Sequence, residues 1–514
     1  MKKVLKRAIA MVAAVSVCAA LSACGGKTMV KDTANTVSYW APMSPNASQT
    51  AGDLSETFFG KKLMEVTDTT IQYQHPAQGQ QDEKFNILVA GGQLPDIIEY
   101  GWSSYVGGAS AALDNGIIQE IDLEKDAPNL AAYIKAHPEM DKMIKTDDGR
   151  YYGFPFIQGD EYLLTSAGPI IRKDWLDELG LQVPETIDEW TNVLTQFKQK
   201  KSSGAPLCIN QKSLTTSSLF VGAYDTCDGL YVRDGKIIYG PMENGYKEFL
   251  TQMNKWYKDG LLDSDYATLD TNIMQSNILN GVCGATYGSC GGGIGKWMAA
   301  ATESGYDLAG AKYPVLNKGD KPQFGSYAFP VAGRFAVITK DAKNKEKCAK
   351  LLDYGYSDEG HMLFNFGIEG ESYEMIDGYP TYTDEITKNA DGLSMSVSLA
   401  RYALSEYRGP FVQDRRYMEQ YANLPQQKEA LDNWIDTNMS EHALPNITLS
   451  AEAQSELSTI KENIETYKSE MQTKFIMGVE PLSEFDNYVE NLNKRGVDKL
   501  IQFYQEAYDR YTAR

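Results

Sequence analysis

Gly91-Gly92-Gln93-Leu94-Pro95-Asp96-Ile97-Ile98 is the stretch on which the fold turns. Just upstream, Phe85, Leu88 and Val89 recur on one face at helical spacing, and the paired glycines stop that helix. Pro95 has no amide hydrogen with which to continue a helical ladder, so the apolar pair Ile97-Ile98 reads as a short buried strand. Further upstream, Val37-Ser38-Tyr39-Trp40 reads as the first buried strand. Strand, helix and strand in this order argue for a mainly parallel α/β layer.

Downstream the texture changes. Tyr151 through Phe156 is aromatic and punctuated by Gly and Pro, and Ile170-Ile171 with Arg172-Lys173-Asp174-Trp175-Leu176 leads into new helices, with Asp174 in the capping position. This is the expected crossing between two lobes. Thr186 and Glu189 have capping-box spacing ahead of a stripe formed by Trp190, Val193, Leu194 and Phe197. A second stripe is Tyr246, Phe249, Leu250, Met253 and Tyr257. Gly281 to Gly295 reads as glycine-rich loop around a short strand, and Pro314 to Pro330 as a second, helix-poor crossing. Amphipathic helices through Phe485, Tyr488, Val489 and Leu492, then Val497, Leu500, Ile501, Tyr504 and Tyr508, close the fold. About 490 residues beyond the leader exceed what one core serves, so two lobes are expected. Lobe 1 is assigned residues 37–165 and 325–395, and lobe 2 residues 166–324 and 396–514.

The amino terminus pairs Lys2, Lys3, Lys6 and Arg7 with an apolar run from Ala8 to Leu21, the order of a secretory signal and too short to span a bilayer. Leu21-Ser22-Ala23-Cys24, followed by Gly25-Gly26, resembles the lipobox of bacterial lipoproteins. The resemblance implies a signal peptide over residues 1–23 and a palmitate-type anchor on Cys24. Residues 24–36 are then a flexible tether to the outer face of the cell membrane. The formal charge is −20, and the signal would remove only positive charges, so the body is strongly acidic. Nucleic acid and anionic lipid surfaces reward basic patches and are excluded as partners on that ground. Of seven cysteines, Cys208, Cys227, Cys283, Cys290 and Cys348 remain after the signal and the anchor are set aside. Export permits disulfides, Cys208 with Cys227 or Cys283 with Cys290 being near in sequence, but the odd number leaves a thiol over.

Several phrases resemble the extracellular solute-binding family 1 proteins, the sugar-binding components of ABC transporters, especially their longer LplA-like lipoproteins of Gram-positive bacteria. They are GGQLPDII (Gly91 to Ile98), YGFP (Tyr152 to Pro155), IRKDWLDELGLQVPETIDEW (Ile171 to Trp190) and GIEGESYEMIDGYPTYT (Gly367 to Thr383). The last is FIMGVEPLSEFDNYVENLNKRGVDKLIQFYQEAYDRY (Phe475 to Tyr511). The resemblance implies an α/β, two-lobed periplasmic-binding-protein-like fold of type II with crossing hinge strands. It also implies an oligosaccharide cleft between the lobes, monomeric action and delivery to a membrane permease. It places Glu369, Glu371 and Tyr373 close to that cleft.

Binding a neutral sugar calls for flat aromatic faces against pyranose C–H surfaces and polar groups aimed at hydroxyls. Trp40, Trp102 and Tyr105 lie at or near expected strand ends, where doubly wound lobes present ligand loops. Tyr152 and Phe154 lie at the first crossing, Tyr287 and Trp297 flank the glycine-rich loop, and Tyr327 and Phe329 lie at the second crossing. Asp96, Gln80, Ser103, Gln158, Arg172 and Ser289 are the polar candidates. Enzyme motifs fail on inspection. A phosphate loop at Gly295-Lys296 would need glycine in place of Cys290 and Ser or Thr in place of Trp297. His75, His137, His361 and His442 are isolated, and no HExxH, CxxC or GxSxG occurs. No catalytic activity, metal or cofactor is expected. The alternatives to an oligosaccharide receptor are the same fold holding a peptide or other polar metabolite, and a surface carbohydrate-active enzyme.

Overall fold

The helix and strand expected around Gly91-Gly92 are both present. Gln81–Gly91 is helical, Gly92 takes the left-handed φ of +73° that ends it, and the strand runs Ile97–Gly101. Asp96 holds the two first strands together: its carboxylate accepts from the backbone N of Ser38 at 2.8 Å, from the Ser38 hydroxyl at 2.5 Å and from the amide of Lys343 at 2.9 Å. It is thus a framework group and not a hydroxyl partner for a ligand.

The computed structural model describes residues 35–201, 203–405 and 409–514; the leader, Cys24 and residues 25–34 lie outside them. In chain order the described strands are β1 (Thr36–Trp40), β2 (Thr70–Gln74), β3 (Ile97–Gly101), β4 (Phe154–Gln158), β5 (Ala167–Arg172), β6 (Leu230–Arg233) and β7 (Lys236–Tyr239). They continue with β8 (Ala285–Ser289), β9 (Leu308–Gly310), β10 (Val331–Ile338), β11 (Tyr373–Ile376), β12 (Tyr379–Tyr382) and β13 (Val412–Gln413). One six-stranded sheet has the order β13-β4-β10-β3-β1-β2, and a three-stranded sheet has the order β8-β5-β9. The pairs β6-β7 and β11-β12 are separate hairpins.

The mainly parallel expectation holds in part. β1 pairs with β3, and β13 with β4, in parallel, but β10 runs antiparallel to both β3 and β4. The reason is connectivity: β4 leaves the sheet toward the second one, and β10 re-enters where β4 left, hence in the opposite sense. In the small sheet β5 is antiparallel to both neighbours. Val412 and Gln413, assigned from sequence to lobe 2, pair with Ile157 and Gln158 in the first sheet, so the chain visits that sheet once more beyond residue 396.

Apolar faces close over both sheets. Phe85, Trp40 and Tyr100 pack as an aromatic group on the first, ring centroids 4.6–6.3 Å apart. Beside the second, the helix Ile187–Lys200 starts at the expected Thr186/Glu189 capping box and buries Trp190, Val193, Leu194 and Phe197. Phe220 stands edge-on between Trp190 and Trp256, at 5.4 and 4.9 Å. Each such ring, fully withdrawn from water, contributes roughly 1.5–3 kcal/mol. A further apolar cluster joins Ile170 and Trp297 to Phe366, Tyr373, Tyr382 and Trp434, so the segment after β10 packs against the small sheet as well. Gly168 permits this: a Cβ there would stand 2.3 Å from Trp434 Nε1. Among the described residues all five cysteines are buried and free.

Candidate ligand cleft

Because β1 and β3 are parallel, β4 and β13 are parallel, and β10 opposes both sets, the carboxyl ends of β1, β3, β4 and β13 share one edge with the start of β10. From this edge the chain leaves for the small sheet after Gln158 and returns at Val331. The two crossing segments run side by side: Gln158 N donates to Pro330 O at 2.8 Å, and Ala328 N to Leu164 O at 2.7 Å. In open α/β sheets ligands bind outside the carboxyl ends of the strands. Here that edge also faces the links between β4 and β5 and between β9 and β10, so groups on it sit where two sheet bodies meet.

Several expected residues gather there. Ser103 is exposed in the 3-10 turn Trp102–Ser104 that follows β3, and Tyr105 is half-buried behind it, its hydroxyl accepting from Asn115 Nδ2 at 3.1 Å. Tyr327 and Phe329 are half-buried in the second crossing, edge to face at 5.2 Å, and burial raises the Tyr327 phenol pKa. Ser289 pairs with Ala167 and Tyr287 with Pro169, which puts the end of β8 beside the first crossing; both are half-buried. Tyr152 is half-buried as well, its ring 4.4 Å from Phe335, but it precedes the amino end of β4 and so is not brought to the carboxyl edge.

Other expected residues are framework groups. Trp40 is 5 % exposed, and Trp102 and Phe154 are fully buried in the first core; Trp297 is 2 % exposed beneath β5. Their Gly and Ser neighbours are what allow the tryptophans to be covered: a Cβ at Gly288 would stand 2.8 Å from the Trp297 ring. Gln158 is buried and donates to Leu163 O at 2.5 Å, bracing the crossing itself. Arg172 lies at the far end of β5. It is fully buried, bidentate to Asp174 at 2.8 and 2.6 Å, bonded to Glu303 at 2.7 Å, and sandwiched between Trp175 and Tyr306. Asp174 therefore sits in the first helical turn as a partner of Arg172, not as the cap. Tyr373 is buried against Phe366, while Glu369 and Glu371 are exposed.

Sequence reasoning missed the charged groups on this edge. Arg415 follows β13, lies 4.5 Å above the Tyr162 ring and reaches Asp160, just after β4, at 3.7 Å and Glu419 at 2.8 Å. Next to it, burial pushes the Asp414 carboxyl up, but hydrogen bonds from His361 and Arg416 outweigh that and hold it well below the usual carboxylate range. Arg334 of β10 was passed over as well, for no local motif marks it. Among the described residues no group of three His, Cys, Asp or Glu is arranged to hold a metal ion, and no helix is long and apolar enough to cross a membrane.

Two α/β bodies joined by paired crossing segments, with a polar and aromatic edge between them, define the type II class of periplasmic-binding-protein-like folds. Residues 46–362 match the family described as bacterial extracellular solute-binding protein, and the chain belongs to that family. It is 25 % identical over 520 residues to Lipoprotein LipO of Bacillus subtilis, covering 95 % of this chain and 93 % of the relative. It is 25 % identical over 509 residues to the fructooligosaccharide ABC transporter substrate-binding protein FusA of Streptococcus pneumoniae, covering 92 % and 89 %. The structure of an HMO-binding, ABC-transporter-associated solute-binding protein from Bifidobacterium longum infantis superposes with a TM-score of 0.74 at 20 % identity, over 93 % of this chain and 99 % of that one.

Proposed function

We propose that this chain is the substrate-binding lipoprotein of an ABC importer. It captures an oligosaccharide outside the cell by hinge closure and hands it unchanged to the permease. The observation that carries this reading is the pair of hydrogen-bonded crossing segments, Gly159–Ser166 against Ser326–Pro330, at the carboxyl edge of the main sheet. A sugar that touches both bodies favours their closed arrangement and shifts the population toward it. Ser103, Tyr105, Tyr287, Ser289, Tyr327 and Phe329 supply the hydroxyls and ring faces such a cargo needs. The fructooligosaccharide-binding relative supports the cargo class, and the lipoprotein relative supports an anchor at Cys24. The protein acts as a monomer, without a cofactor and without catalysis. Calorimetry of the mature chain against a panel of oligosaccharides, with small-angle scattering to follow closure, tests it. Binding with a smaller radius of gyration is expected. No heat and no compaction with any glycan, or turnover of the glycan, overturns the reading.

A further inference from the structure

Arg334 is the one arginine among the described residues that has been left without a partner. Every other one donates to a carboxylate or a backbone carbonyl. Arg334 is half-buried, and its Nη1 is withdrawn from solvent with nothing to donate to. A guanidinium nitrogen withdrawn from water without a partner is costly, and in a chain of formal charge −20 acids are not scarce. The arrangement makes sense if the counter-charge arrives from outside.

The position is the cleft edge. Arg334 pairs in register with Gly101, the last residue of β3, directly before the exposed turn that carries Ser103 and Ser104. The register of β10 against β4 shifts between Val331 and Phe335, and Gly333 within that bulge has a φ of +79°. Bulges of this kind re-aim the side chain that follows. Opposite it Gly101 presents no side chain: a Cβ there would find nothing nearer than 4.0 Å, the atoms at that distance being Gly333 O and Ser104 Oγ. Asn446, from the segment leading into the long helix Ala451–Met477, reaches over the same bulge and donates to Val331 O at 2.8 Å. The nearest acid by register on that sheet face, Glu99, already accepts from the Tyr39 hydroxyl at 2.8 Å and from Gly409 N at 3.1 Å. Arg334 therefore stands, unopposed, where the two bodies meet.

We propose that Arg334 is the charge-selecting residue of the cleft and that the cargo is an acidic oligosaccharide whose uronate carboxylate it receives. This rests on the oligosaccharide reading above. A neutral sugar would cover the guanidinium further and return only hydroxyl hydrogen bonds, whereas a carboxylate matches its planar fork and neutralises it. The acidity of the whole chain does not oppose this. Exposed charges beyond about 8 Å are largely screened at physiological ionic strength, so the contact group decides.

Oligogalacturonates and oligoalginates, the same oligogalacturonates as methyl esters, and neutral maltooligosaccharides of equal length are titrated calorimetrically into the mature chain and into R334Q and R334K, each first shown to be folded by circular dichroism and thermal unfolding. A free acid should bind at least about tenfold more tightly than its ester, the preference should shrink with added salt, and R334Q should lose it while R334K keeps part. Equal or better binding of esters or neutral sugars by the wild type overturns the inference and leaves the receptor intact. Undiminished acid preference in R334Q overturns it equally. Failure of every sugar, acidic and neutral, removes the receptor reading itself. If R334Q does not fold, the acid-against-ester comparison on the wild type still decides.

Discussion

His361 Nε2 lies 2.8 Å from the carboxylate of Asp414, and this contact ties the helix Asp358–Phe366 to the start of the helix Arg415–Tyr421. Asp414 also accepts from the amide of Arg416 at 2.8 Å and from its guanidinium at 2.6 Å, and Asn365 Oδ1 accepts from Asp414 N at 2.8 Å. Glu419 and Tyr379 face the same guanidinium from the flanks.

A carboxyl held below its ordinary range stabilises the fold fully above about pH 4, and that stabilisation is lost as the pH falls through the range toward the folded-state value. D414N should cost about 1–3 kcal/mol at neutral pH, as loss of a charged cap and ion pair. In urea titrations from pH 7 to pH 3 the gap between wild type and variant should narrow toward acid. A gap that is constant or widens with acid would show that Asp414 is not the group concerned.

Gly168 lies under the Trp434 indole, and Trp434 is itself fully buried and donates to Ala311 O at 3.1 Å. G168A must displace that ring, a cost of about 1–3 kcal/mol by overpacking. A denaturant midpoint equal to wild type would mean that the helix Pro425–Ile435 yields without strain.

Burial pushes the thiols of Cys227, Cys290 and Cys348 up to about 12, so none is a thiolate at neutral pH. The native body should be inert to a thiol reagent at pH 8 and should yield five thiols on unfolding without reductant. Fewer than five would reveal a disulfide.

Tyr327 and Phe329 stand edge to face on the second crossing, and both are half-buried, leaving ring surface for a ligand. Y327A should weaken a bound oligosaccharide about tenfold, since a lost stacking ring is worth about 1 kcal/mol or more. The thermal midpoint should move by only a few degrees. Unchanged affinity by calorimetry would move the sugar to another part of the edge.

Much of the framework is legible in the sequence. The helix ending at Gly91, the strand at Ile97 and the box at Thr186 are written in residues within a turn of one another, where glycine conformation, the missing amide of proline and side-chain capping act locally. The charge pattern and the absence of catalytic motifs narrowed function in the same way. The cleft was less legible. Trp102 and Ser103 are neighbours in sequence with the same glycine and serine surroundings, yet one is wholly enclosed and the other exposed, because a 3-10 turn rotates each residue by about 120° and carries Ser103 off the face that buries Trp102.

Sequence alone therefore determined where several of the helices and strands run and stop and how acidic the body is, because those follow from near neighbours and composition. Only the tertiary structure decided which aromatics stay accessible, that Arg172 is paired with Asp174 and Glu303, and that Arg334 has no partner among the described residues. Whether a charge has a partner depends on groups more than a hundred residues away, as Glu303 is from Arg172, and chain closure alone brings those together.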